Sequence, residues 1–343
     1  MVGSNQKWAI ERIYLKYLKE LNPDTILFAA QNRLHEYLQK SILNKVLYRL
    51  NTSNIIRKIN AELINTVEEF KPDIIWVLKG MEVLPDTLKI FNQKKIKLVN
   101  YNPDHPFIRS GRGSWNRNVL NSVPLYDLHL CYSKSLMKTI KDKYKIRTEF
   151  LPFGFELDDN LFRRIKDNNE INKVCFLGNP DKIRYNLIKY LIGNGIQVDV
   201  YGYNWNKFFR SNSSSNLNIY DAVYEDKFWE TLRKYRVQLN IFRPHNIGSH
   251  NMRTFEITAV GGIQLAPDSP EHREFFEDGK EIFLYKSNDE AIDKIKYLLE
   301  LNDDEATKIR EASRSKCING DYSYKNRAQT SFNFFISLLE EKK

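Results

Sequence analysis

Apolar positions along the chain alternate between helical and strand-like spacing. Trp8, Ile10, Ile13, Leu15 and Leu18 fall at helical intervals over residues 7–21, and Asn22-Pro23 ends the run. Residues 25–30 read as a short buried strand, followed by helical stretches at 34–50 and 55–70. Pro72-Asp73 introduces a continuous apolar run over 74–78 that stops at Lys79-Gly80. A helix at 85–91, strands at 96–101 and 128–132, a helix at 135–144 and a strand at 149–152 complete the half. This order predicts parallel βα units with helices on both faces of a sheet. Val2-Gly3-Ser4 has the character of the tail of a first strand, so that edge of the sheet is expected to be truncated.

Residues 154–172 are polar and aperiodic, which places a domain junction there, with Phe153-Gly154-Phe155 as the connection. The same grammar then restarts: strand 174–177, helix 184–193, strand 198–201, an exposed Ser/Asn loop at 211–216, helix 225–235, strand 237–242. A polar loop leads to a helix from about Met252, the Gly261-Gly262 break, strand 263–266, helices at 291–301 and 305–316, and an amphipathic helix at 324–341. The expected division is an N-terminal domain at 1–158, a second at 170–322, and a tail helix at 323–343 that packs back across both.

Composition supports a folded two-domain chain: 343 residues, 42% hydrophobic and 13% aromatic. No apolar run reaches the ~20 residues needed to span a bilayer, and the polar start gives no secretory signal. Cys131, Cys175 and Cys317 lack metal-ligand spacing and read as reduced thiols of a cytoplasmic protein. The net charge of +10 is spread along the chain. It favours an anionic partner without naming it: a phosphorylated substrate, an anionic membrane surface or nucleic acid.

Candidate chemistry concentrates in 239–267. A buried strand leads into a loop with Arg243, His245, Gly248, Ser249 and His250, then into a helix that opens near Arg253. A helix N-terminus and an arginine suit a diphosphate, and Glu256, three residues on, can accept both hydroxyls of a ribose. The bland alternative is that Glu256 complements the helix dipole and the glycines end the helix. Tyr201, Tyr203 and Trp205 either stack on a base or pack.

The run NIFRPHN…MRTFEITAVGGIQLAP, with Glu274-Phe275-Phe276 and Gly279-Lys280-Glu281-Ile282, resembles the C-terminal domain of the spore-maturation CgeB-like glycosyltransferases, relatives of family-1-type GT-B enzymes. Cys175-Phe176-Leu177-Gly178-Asn179 with Arg184 resembles the opening of their donor domain, and Val200-Tyr201-Gly202 with Trp205 a later piece. The resemblance covers about 172–328. It implies an α/β fold of GT-B type, two Rossmann-like domains facing each other across a cleft. The implied activity is transfer of a hexose or deoxyhexose from a UDP-, dTDP- or GDP-sugar to a glycan, lipid-linked or protein acceptor in bacterial polysaccharide biosynthesis. The nucleotide sugar is a substrate, so no cofactor is expected, and no metal either. Glu256 matches the second acid of the Glu-x7-Glu signature, implying the ribose contact, whereas the first position is Gly248. Arg184 and Arg253 become diphosphate clamps, Gly178 and Asn179 line the turn, and Arg243, His245 and His250 bond phosphate or stabilise their loop.

An inverting transfer needs a base from the N-terminal half. Asp104, in Asn102-Pro103-Asp104-His105-Pro106 after a strand, is the first candidate and His105 the second; a plain turn role for Asp104 is the alternative. Lys79-Gly80 is expected on the acceptor side. The expected location is cytoplasmic, with peripheral attachment at the inner face of an anionic membrane. The rival class is a non-catalytic binder of an anionic polymer such as nucleic acid. It is disfavoured because basic residues are not interleaved with aromatics in one stripe.

Overall fold

A computed structural model describes residues 1–50, 52–108, 114–209 and 214–341. The expected loop at 211–216 therefore lies partly outside the described residues. The chain divides into two compact units, Met1–Pro152 with Tyr324–Lys343, and Phe153–Ser323.

In the first unit, helices α1 (Ile10–Leu21), α2 (Ala30–Lys40), α3 (Ile42–Arg49) and α4 (Ile55–Phe70) precede β1 (Ile74–Leu78). Then come α5 (Pro85–Gln93), β2 (Lys97–Tyr101), α6 (Arg117–Ser122), β3 (Leu128–Cys131), α7 (Lys134–Tyr144) and β4 (Arg147–Phe150). The four strands are parallel in the order β1-β2-β3-β4. β1 is a continuous apolar run because both its faces are covered: Ile75, Trp76, Val77 and Leu78 are all buried. The segment read as 25–30 contributes only a single bridge, from Phe28. Val2 is bridged in parallel to both Phe28 and Val77, so it sits inside the sheet and not at an edge. The single helix expected at 34–50 is two. Ser41 adopts an extended backbone, and its side chain accepts from the Asn44 N–H, which ends α2 and starts α3.

The second unit contains α8 (Asp159–Ile165), β5 (Ile171–Leu177), α9 (Lys182–Gly193), β6 (Val198–Tyr201), α10 (Trp205–Phe208), β7 (Leu217–Tyr220), α11 (Glu225–Lys234) and β8 (Tyr235–Leu239). It continues through α12 (Met252–Ala259), β9 (Gln264–Pro267), α13 (Pro270–Phe275), β10 (Phe283–Tyr285), α14 (Asn288–Glu300) and α15 (Asp303–Asn319). Its six strands are parallel in the order β10-β9-β8-β5-β6-β7. The chain builds outward from β5 through β6 to β7, then returns to the other side of β5 with β8. That reversal opens a crevice beyond the carboxyl ends of β5 and β8, where open parallel sheets hold ligands. The first unit reverses in the same way, from Val2 to Phe28 and then to β1.

The last helix, α16 (Tyr324–Glu340), belongs to the first unit. Tyr14 of α1 meets Trp76 at 4.8 Å and Tyr324 at 5.4 Å between ring centroids, and Phe335 meets Trp76 at 5.2 Å, all edge-on. Edge-to-face pairs add about 0.5–1.5 kcal/mol beyond area burial, so Trp76 ties α1 and α16 to the sheet. Trp76→Ala is expected to cost about 3–5 kcal/mol of unfolding free energy in chemical denaturation. A loss below about 1 kcal/mol would mean that this aromatic group does not carry the packing.

Candidate functional site

In the second unit the site starts from the loop after β8. Asn251 caps α12: its side chain accepts from the Thr254 N–H, and the Thr254 hydroxyl accepts from the Asn251 N–H. Thr254 is fully buried and takes a further bond from Asn240 Nδ2 at 3.3 Å. Burial pushes His272 down to about 4, so its ring is neutral. The 2.9 Å contact of His272 Nδ1 with the Pro267 carbonyl requires a proton on Nδ1. Nε2 is then the acceptor, and it receives the Thr254 hydroxyl at 2.8 Å. Asn240 also bonds Gln264 and receives Asn251 Nδ2 at 2.7 Å. This satisfied network fastens the first turn of α12 to the ends of β8 and β9.

Three arginines gather around that turn. Arg184 donates from Nε and Nη2 to the Ile241 carbonyl, each at 3.2 Å, and from Nη1 to the Asn179 carbonyl at 3.0 Å. Burial lowers its pKa to about 9, and the charges of Arg243 and Arg253 push the same way against Asp181. Arg253 pairs with Glu256, donates from Nε to the Leu177 carbonyl at 3.2 Å, and lies over the Phe228 ring at 4.4 Å. Arg243 is half-buried, and among the described residues its guanidinium makes no hydrogen bond or ion pair. Neighbouring carboxylates leave the positive charge in excess, and a helix N-terminus adds to it.

The glycines and aromatics expected nearby are placed as follows. A Cβ on Gly202 would overlap the Gly178 carbonyl, so the close approach between the two strand ends needs glycine at 202 more than at 178. Trp205 is buried and donates its indole N–H to that same carbonyl at 2.8 Å, a packing role. Tyr201 stacks on Tyr220 at 4.7 Å. Tyr203 is half exposed beside Asn179, whose side chain accepts its N–H at 2.8 Å.

The two histidines stand apart. His245 is buried in the turn Pro244–Asn246. His250 is fully buried and its ring nitrogens are engaged: Nδ1 contacts Glu271 at 2.6 Å and Nε2 accepts the Phe153 N–H at 3.2 Å. The expectation of a phosphate contact from His250 is therefore replaced by loop stabilisation. Ser249 donates to the same Glu271. Glu271 was not foreseen, although Ser269-Pro270 ahead of it has the composition of a helix start. Gly248 takes a left-handed backbone, φ +78°, in open space.

In the first unit, Asp104 follows β2 and pairs with Lys79 at 2.7 Å, the two side chains being 21% and 16% exposed. Lys79 takes a left-handed backbone at φ 64° ahead of Gly80 at φ 91°, a strained turn for a lysine. His105 Nδ1 accepts the Phe107 N–H at 3.2 Å. Two buried acids that the sequence reading missed, Glu11 and Glu82, share the field of Lys79. Glu11 receives the Ser4 N–H at 3.1 Å and lies against Gly3, where a Cβ would meet it. Burial pushes Glu82 up to about 7, opposed by its own N–H and by Lys79 and reinforced by Glu11. Among the described residues, no group of three or more His, Cys, Asp or Glu is placed to hold a metal ion.

Residues 184–333 match the family model described as glycosyl transferase-like. No curated protein matches the chain in sequence. Among solved structures, Alr3699/HepE from Anabaena, determined in complex with UDP and glucose, aligns at TM-score 0.65 and 12% identity, covering 98% of this chain and 99% of that one. The UDP-forming α,α-trehalose-phosphate synthase from Burkholderia xenovorans aligns at 0.65 and 11%, covering 99% and 98%. The UDP-GlcNAc 2-epimerase from Neisseria meningitidis, bound to UDP-GlcNAc, aligns at 0.58 and 13%, covering 98% of each. The chain has the GT-B α/β fold of two parallel-sheet domains.

Glu82 generates a pH prediction. Its carboxyl contributes stability that is fully present below its ordinary value of 4.5 and is lost as pH rises through about 7. The shift corresponds to about 3 kcal/mol. Thermal unfolding of Glu82→Gln is expected to lose that part of the decline between pH 4.5 and 7, relative to the parent chain. Parallel melting curves across that range would contradict it.

Proposed function

We propose that the chain is a glycosyltransferase that takes its sugar from a nucleoside-diphosphate donor, with the diphosphate held by Arg184, Arg243 and Arg253 at the start of α12. One observation carries this reading: Arg184, its pKa lowered first by burial and further by the charges of Arg243 and Arg253, stands with those two arginines at the strand reversal of the second unit. Like charges crowd this way where an anion relieves them. The family match over 184–333 supports transfer as the reaction, and the narrower likeness to CgeB-like enzymes stays part of the proposal.

In this reading Glu256 receives the ribose hydroxyls, and Tyr203, exposed beside Asn179, offers a ring face to the base. The bond from the sugar C1 to the β-phosphate oxygen breaks, its electron pair stays on that oxygen, and the arginines stabilise the charge. A new bond joins C1 to the acceptor oxygen, whose proton passes to Asp104, with Lys79 positioning that carboxylate. With Gly248 at the first acid position of the signature, two-glutamate retaining chemistry lacks one of its acids, which supports inversion. The sugar moved is a hexose or deoxyhexose, and the acceptor a glycan, lipid-linked saccharide or protein.

Thermal-shift titration with UDP, dTDP, GDP and CMP is expected to give stabilisation by one of them, worth about 2.7 kcal/mol at a hundred times Kd. Arg253→Ala is expected to weaken that binding by roughly tenfold to a hundredfold, the loss of a charged hydrogen bond, and Glu256→Ala by less. Silence towards all four, with salt-sensitive binding to oligonucleotides, would overturn the reading. With the natural acceptor, Asp104→Asn is expected to lose about a hundredfold or more in kcat; retention of most turnover would remove Asp104 from the mechanism.

A further inference from the structure

Helix α3 presents an apolar face that none of the described residues covers. Ile42, Leu43, Val46 and Leu50 are 79%, 63%, 42% and 66% exposed. At 100° per residue these four fall on one arc of the helix and its end, while Asn44, Leu47 and Tyr48 turn inward. Lys45 and Arg49 form the adjoining edge, and Lys40 closes α2 just before it. From residue 37 to residue 61 the sequence holds five basic residues, Lys40, Lys45, Arg49, Arg57 and Lys58, and no acid. None of the five forms an ion pair among the described residues. Contiguous exposed aliphatics are rare on soluble surfaces and mark contact sites.

We infer that α3 is a membrane-contact helix: it seats Ile42, Leu43, Val46 and Leu50 in the interfacial region of a bilayer while Lys40, Lys45 and Arg49 meet anionic lipid headgroups. Charge decides between occupants. A second copy of this chain would bring Lys40, Lys45 and Arg49 against the same three charges, and a protein groove would have to be acidic and apolar together. An anionic bilayer supplies both properties over any area, and interfacial helices have this division of apolar face and basic edge. The inference locates on one helix what the chain-wide charge leaves unplaced. No described helix is long and apolar enough to cross a membrane, so the contact is peripheral. It does not rest on the donor assignment.

The test is flotation of the full chain with vesicles of phosphatidylglycerol and phosphatidylcholine, and with phosphatidylcholine alone. Binding is expected to the anionic vesicles and to be weak on neutral ones. The triple variant Ile42→Ser, Leu43→Ser, Val46→Ser is expected to bind about tenfold or more weakly. Lys45→Gln and Arg49→Gln are each expected to lose roughly fivefold. All five positions are exposed, so melting temperature and nucleotide-induced stabilisation should stay at the parent values, which separates this result from failure of the donor reading. Absence of vesicle binding by the parent chain overturns the inference. So does vesicle binding unchanged in the triple variant, and so does a parent dimer that the triple variant turns into a monomer.

Discussion

The placing of buried Arg184 within the fields of Arg243 and Arg253 is the constraint on which the site of the second unit depends. Such a cluster is unfavourable in a buried place unless its donors are satisfied and an anion is admitted. Backbone carbonyls at the strand ends meet much of that need: Leu177 for Arg253, and Ile241 and Asn179 for Arg184. Those carbonyls are available because β5 and β8 are neighbours in the sheet although far apart in sequence. The strand order thus comes first, the arginines follow from it, and the anion site follows from the arginines.

A second layer keeps the site in place. Thr254 and His272 hold the opening turn of α12 from below, and His250 with Glu271 holds the loop before it. These groups are spent on one another, which is why they shape the site without facing it. The first unit uses its polar residues differently. Lys79, on a strained turn, pairs with Asp104 and acts on the buried Glu11 and Glu82 through its charge.

Much of the fold was legible because a strand buried on both faces leaves a continuous apolar run, as at 74–78; that strand and 198–201, which holds Asp199 but stops at Gly202, match the observed strands residue for residue. The break at Ser41 was not, since one helical period continues through it, and the stripe that reads as core in 42–50 is in fact exposed. β10 has only three residues and offers no period to detect. Of the candidate site, Arg184, Arg253 and Glu256 could be found because each belongs to a local motif at a strand–helix turn. Glu11, Glu82, Glu271 and Thr254 could not, because no spacing within the chain announces a meeting that the sheet order creates.

The central claim is that the arginine cluster receives a diphosphate. Its most direct test is calorimetric titration of the full chain with a nucleoside and with its mono- and diphosphate, using the base that stabilises the chain. The account predicts that affinity falls by about tenfold or more with each phosphate removed, as expected for loss of charge-assisted hydrogen bonds. Equal affinity for the monophosphate and the diphosphate would contradict it.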